Sequence, residues 1–118
     1  MLRKFTQTIV VPGTLTGPID YIAAVPSACT IQHLSMVQSN AGDGRVKMGT
    51  SADDDIFFTY INMGQSGTPV QLQGATDFRN YVLPHLTAGD ILKLHVDHDG
   101  ALGTAADDVT IVITFTEG

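Results

Sequence analysis

Asp108-Val109-Thr110-Ile111-Val112-Ile113-Thr114-Phe115-Thr116 is the stretch that decides the fold. One face carries Val109, Ile111, Ile113 and Phe115; the other carries Thr110, Val112, Thr114 and Thr116. Alternation built on β-branched and aromatic residues is the pattern of a half-buried strand. A helix would scatter the same four apolar residues round its circumference. Just upstream, Leu92, Leu94 and Val96 alternate with Ile91, Lys93, His95 and Asp97, between Gly89-Asp90 and the turn signal Asp99-Gly100. Residues 29–38 read as a long strand, with Asn40-Ala41-Gly42-Asp43-Gly44 as a hairpin loop into a strand at 45–48. Further strands are predicted at 4–11, 19–25, 55–61, 68–72 and 78–83, separated by Gly-, Pro- and Asp-rich turns. About eight or nine short strands at this spacing, with no helical stripe, predict an all-β antiparallel sandwich, a jelly roll. The domain is the whole of 1–118, with 1–8 as an N-terminal arm or an edge strand.

Composition agrees. Of the 12 acidic residues all but Glu117 are Asp, which suits turns better than helices, and Thr is abundant. A chain of 118 residues supports one domain with a core of its own. The single cysteine, Cys29, excludes an intramolecular disulfide. Six basic against 12 acidic residues give a net charge of −6, and the basic ones are scattered, so the phosphate-neutralising stripe that nucleic-acid binding needs is not seen. No apolar run approaches the roughly 20 residues of a membrane helix, and 1–8 lacks the apolar core of a signal peptide. A soluble protein made in a cytoplasm, with no nucleic-acid or membrane partner, is expected.

The chemistry-bearing residues form no familiar catalytic motif, and no catalytic residue, metal or cofactor is expected. Cys29 and His33 would share a strand face, yet four residues at about 3.3 Å each hold them roughly 13 Å apart, too far for a nucleophile and its base. His95, Asp97 and Asp99 would also share a face but lack an identifiable cross-strand ligand. The segment 97–108 is similar in spacing to a calcium loop, but an EF-hand needs a carboxylate at its fifth position and Gly at its sixth, where Ala101 and Leu102 stand. Asp53-Asp54-Asp55 reads as a solvated acidic turn. Phe57, Phe58 and Tyr60 stand apart: Phe58 and Tyr60 would share one face and Phe57 the other with Ile61, so this strand belongs either to the core or to a subunit interface.

Four segments carry a family likeness: Cys29-Thr30-Ile31-Gln32-His33-Leu34-Ser35; Met48-Gly49-Thr50-Ser51-Ala52-Asp53-Asp54-Asp55; Gly64-Gln65-Ser66-Gly67-Thr68-Pro69-Val70; and Leu86-Thr87-Ala88-Gly89-Asp90-Ile91-Leu92 with the final strand. Together they resemble the small capsid decoration, or cement, proteins of tailed bacteriophages. The resemblance implies a structural virion protein on the outer face of a phage capsid, cementing neighbouring capsomers. Its partners would be the major capsid protein and itself, as a homotrimer. A receptor- or carbohydrate-binding head of a tail or fibre is the alternative. Leu2, Arg3, Lys4 and Phe5 are the expected capsid contact, because they set two cations and two apolar side chains at the start of an acidic chain. Phe57, Phe58 and Tyr60 are the expected subunit interface.

Overall fold

The structure, a computed structural model, describes residues 3–98 and 103–118. Among the described residues nine strands form: β1 (Lys4–Thr14), β2 (Ile19–Ala24), β3 (Cys29–Val37), β4 (Gly44–Thr50), β5 (Phe58–Asn62), β6 (Val70–Leu72), β7 (His85–Leu86), β8 (Ile91–His98) and β9 (Asp107–Glu117). They make two antiparallel sheets. The first has the order β1-β9-β3-β6, with β7 beside the start of β3; the second has the order β2-β8-β4-β5. The chain crosses from one sheet to the other at most connections, which is the jelly-roll winding. The only helical turns among the described residues are two 3-10 turns, Ala75–Asp77 and Arg79–Tyr81.

The alternations fall where the sequence puts them. Val109, Ile111, Ile113 and Phe115 on β9, and Leu92, Leu94 and Val96 on β8, point between the sheets and are buried. Val46 and Met48 from β4, and Ile31, Leu34 and Met36 from β3, complete the middle of the core. Gln38 is the one fully buried polar side chain among the described residues. Its amide donates to the Met63 carbonyl at 3.4 Å, and its Oε1 accepts from the Gly44 amide at 3.3 Å.

Four expectations need correction. Residues 40–44 do not close a hairpin: β3 and β4 lie in different sheets, and the loop crosses the sandwich, held by Asn40, whose Nδ2 donates to the Ala105 carbonyl at 2.9 Å and whose Oδ1 accepts from the Asp107 amide at 3.0 Å. The strand expected at 78–83 is a turn, because Asn80 and Tyr81 take left-handed φ values of 62° and 56°. Phe78 plugs the core beneath it, 6.2 Å from the Phe58 ring.

The other two corrections come from β-bulges, which reverse the parity of everything beyond them. In β3 the register slips between Ile31 and His33, so Cys29 and Ile31 point inward while His33 points outward. Cys29 and His33 therefore do not share a face. In the β4–β5 pair the register slips between Met48↔Phe58 and Val46↔Ile61. Phe58 faces the core, Tyr60 faces out, and Ile61 turns in again, so Phe58 and Tyr60 lie on opposite faces.

Ile113 is fully buried at the centre of β9. Ile113→Ala is expected to cost about 2–5 kcal/mol in chemical denaturation, the usual range for emptying a core position.

Candidate functional site

The edge strands β1 and β2 lie on the same side of the sandwich, one in each sheet. The cross-strand register puts Phe5, Gln7, Ile9 and Val11 of β1 on the inward row, opposite Phe115, Ile113, Ile111 and Val109. It likewise puts Ile19, Tyr21 and Ala23 of β2 opposite Val96, Leu94 and Leu92. The inner partners of each pair are buried, and the outer ones are not: Phe5 is 43% exposed, Ile19 is 40% exposed, Gln7 is exposed, and Ile9, Val11, Tyr21 and Ala23 are half-buried. The interior thus opens to solvent along one side, as a shallow cleft of about 100 Å³ lined chiefly by Phe5, Gln7, Tyr21, Ala23, Pro26 and Phe115. Exposed Val10 and Ile22, on the outer faces of the same two strands, widen the apolar surface.

Phe5 is held by a stacked pair with Phe115, ring centroids 4.9 Å apart and planes within 8°. Next to it the cleft broadens to about 430 Å³ between Arg3, Lys4, Pro26, Ser27 and Glu117. Arg3 Nε meets Glu117 Oε2 at 3.2 Å, whereas Lys4 has no ion pair among the described residues. Three of the four expected capsid-contact residues, Arg3, Lys4 and Phe5, therefore stand together at one end of this open edge; Leu2 lies outside the described residues. The stretch is no free arm, since Lys4 opens β1 opposite Thr116 and pairing along β9 continues to Val11. Sequence reasoning missed the β2 half of the site. Its signal was Ile19, Tyr21 and Ala23, whose inward row is short and bounded by Pro18 and Pro26.

The expected subunit-interface trio is dispersed. Phe58 is buried within the chain and cannot meet a partner. Phe57 packs half-buried against the core. Tyr60 lies on the outer face of the second sheet, with the Arg45 guanidinium 4.1 Å from its ring centroid, Lys47 Nζ at 5.1 Å, and the His95 ring edge-on at 6.0 Å. These cations occupy the ring surface that a stacked sugar would need. The fold also brings Lys93 of β8 to the same face as Arg45 and Lys47, which stand two positions apart on β4.

The remaining constellations are taken up structurally. His95 Nδ1 and Asp20 Oδ1 are 2.6 Å apart, and Asp97 faces Arg45 at 3.8 Å; Asp99 lies outside the described residues. In the 97–108 segment, residues 99–102 are likewise outside. Asp107 Oδ1 accepts from Thr14 Oγ1 at 2.8 Å, and Asp108 accepts from the Gly13 amide at 2.8 Å and from Ser39 Oγ at 3.2 Å. Asp53, Asp54 and Asp55 bring carboxylate oxygens within 4.8 Å of one another. Gly49 permits this fold-back, because any Cβ there would collide with the Asp53 carbonyl. Cations already claim two of the three: Lys47 Nζ is 3.2 Å from Asp54, and Arg79 is 3.8 Å from Asp55. The hydrogen bond from Lys47 holds the Asp54 carboxyl below its usual range and raises the lysine. Burial, with the negative charge of Asp90, pushes the Cys29 thiol up, away from the reactive thiolate.

No known family matches the chain, and no curated protein matches it. Among solved structures it resembles a chain of the cyanophage Pam1 capsid asymmetric unit, with a TM-score of 0.59 and 12% identity over 99% of this chain and 85% of that one. A chain from Desmodium yellow mottle tymovirus gives a TM-score of 0.47 and 9% identity over 99% and 86%. The C-terminal CBM6 of LamC from Zobellia galactanivorans gives 0.42 and 9%, covering both chains fully. At such identities the likeness is one of fold: a jelly-roll sandwich of the kind found in virus capsids.

Two outcomes follow. Phe5→Ala, at a half-open stacked pair, is expected to cost about 1 kcal/mol in denaturation of the isolated chain, the scale of one aromatic pair and well short of a core truncation. For Asp54, whose folded pKa is lowered, the stabilising effect is present above the ordinary carboxylate range and is lost as pH falls through the folded value. The stability gap between the native chain and Asp54→Asn should therefore be constant near neutral pH and close on acidification, as read from denaturation midpoints against pH.

Proposed function

We propose that this chain is a structural protein of a virus capsid that acts by binding and not by catalysis. It would decorate the outer face of a phage shell and cement neighbouring capsomers, with the major capsid protein as its partner. The observation that carries this reading is the open β1–β2 edge. Inward-facing apolar side chains left partly uncovered along a sheet edge, here Phe5, Ile9, Val11, Ile19 and Tyr21, suit a surface that another chain covers on assembly. The fold, shared with a chain of the cyanophage Pam1 capsid asymmetric unit, supports placing that assembly in a virion. A net charge of −6 suits a position outside the shell, away from packaged nucleic acid. Arg3 and Lys4, beside the cleft at the start of β1, supply local cations that would meet acidic loops on a shell of capsid protein, giving orientation more than affinity.

Co-sedimentation with shells assembled from a tailed-phage major capsid protein tests the reading. The chain should be retained on assembled shells and not on free capsomers, and the double change Lys4→Glu, Phe5→Ser should abolish retention while leaving the folded circular-dichroism spectrum intact. Absence of the native chain from the shell fraction, or undiminished retention of the double variant, would overturn it.

A further inference from the structure

β1 is a long edge with little to protect it. From Phe5 to Val11 it carries no charge, proline or bulge, and Lys4 is the only charged residue in the strand. Edge strands of stable monomers are usually blunted by such features, because their free backbone groups recruit other strands. Which groups are free follows from the ladder. The Glu117 amide donates to the Arg3 carbonyl at 2.9 Å, so Arg3 and Glu117 form a hydrogen-bonded pair. Antiparallel pairing alternates, so Phe5, Gln7, Ile9 and Val11 bond to β9, and the amides and carbonyls of Lys4, Thr6, Thr8 and Val10 point to the open side. Beyond them Pro12 has no amide hydrogen, and the register breaks before Thr14.

We propose that a second copy of this chain fills that edge: β1 pairs antiparallel with β1 of its partner about a two-fold axis at Gln7, joining the two first sheets into one. Among antiparallel registers of the right parity, only this one uses all four free positions, opposing Lys4 to Val10 and Thr6 to Thr8, each in both directions. Four pairs at two bonds each give about eight inter-chain hydrogen bonds, within the span of an ordinary specific interface. The side chains match too. On the inward row Phe5 opposes Ile9, an aromatic against a β-branched residue, and Gln7 opposes its own copy, amide to amide; on the outward row threonines oppose threonines. The two Lys4 residues lie at opposite ends of the ribbon, so no like charges face each other. The added inward row, Phe5, Gln7 and Ile9 of the partner, extends the half-wall that leaves the cleft open. A contact of this kind is isologous and yields a dimer. It departs from the homotrimer implied by the phage resemblance, rests on the geometry of β1 independently of any capsid, and leaves the β2 edge and the end of the cleft at Arg3, Pro26, Ser27 and Glu117 for a shell partner.

Two variants of the full chain test it. Thr8→Pro removes an amide that faces away from β9, so the fold should survive while pairing is blocked. Gln7→Cys places two thiols opposite each other at a non-hydrogen-bonded pair, about 4.5 Å between Cα atoms and within disulfide reach. Thr6→Cys leaves its two copies displaced by two positions, out of reach, and Cys29 is buried. Analytical ultracentrifugation should show a concentration-dependent dimer for the native chain and a folded monomer for Thr8→Pro, and mild oxidation should yield a covalent dimer from Gln7→Cys and not from Thr6→Cys. A native chain that stays monomeric at millimolar concentration would overturn the proposal. So would a trimer that survives Thr8→Pro, or equal cross-linking of the two cysteine variants.

Discussion

An inward-facing side chain on an edge strand has a neighbour on one side only, and the character of this molecule depends on that limit. Phe5 and Phe115 face the same interior, stacked 4.9 Å apart, yet Phe115 is 4% exposed and Phe5 43% exposed, because β9 has strands on both sides and β1 has one. The same contrast separates Leu94 from Tyr21 across the second sheet. The two sheets therefore close a complete core around β3, β4, β8 and β9, and stop one strand short at the side where β1 and β2 run. Stability resides in the closed part. The open part is where another chain can add burial and backbone pairing without disturbing the core.

The closed part was largely legible in the residues. β8 and β9 alternate strictly, and their inward rows are the rows that periodicity picks out. What periodicity could not reach is where a strand loses step. The bulges at Gln32–His33 and at Thr59–Tyr60 each reverse an alternation, so Cys29 parts from His33 and Phe58 from Tyr60, and no residue type at those positions announces the slip. The 78–83 segment misled for another reason: its aromatic and aliphatic content resembles a strand, and only Asn80, a residue tolerant of positive φ, hints at the turn. The loop at 40–44 has hairpin chemistry but crosses between sheets, a long-range outcome that local turn preference does not encode. Within the candidate site, Arg3, Lys4 and Phe5 stood out by charge and apolarity. Their companions on β2 did not, because pairing of the two edges depends on the winding of the whole chain.

The fold narrows function by what it leaves available. Charged groups that look like sites in the sequence are engaged in holding the chain together: Asp107 and Asp108 bind the β1 end, Asp54 of the acidic turn binds Lys47, and His95 on β8 binds Asp20 across the ladder on β2. The β1–β2 edge, among the described residues, is instead apolar, edge-on and strand-shaped. A surface of that form recognises other strands through backbone hydrogen bonds, with alternate side chains setting register.

Amide hydrogen exchange along β1 tests the open edge most directly. In the dilute chain Phe5, Gln7, Ile9 and Val11 should be protected by β9, while Lys4, Thr6, Thr8 and Val10 exchange freely. At assembling concentration the second set should become protected and the first stay unchanged. Uniform protection of all eight amides in the dilute chain, or no change in the second set on assembly, would contradict an edge that is open by construction and filled in use.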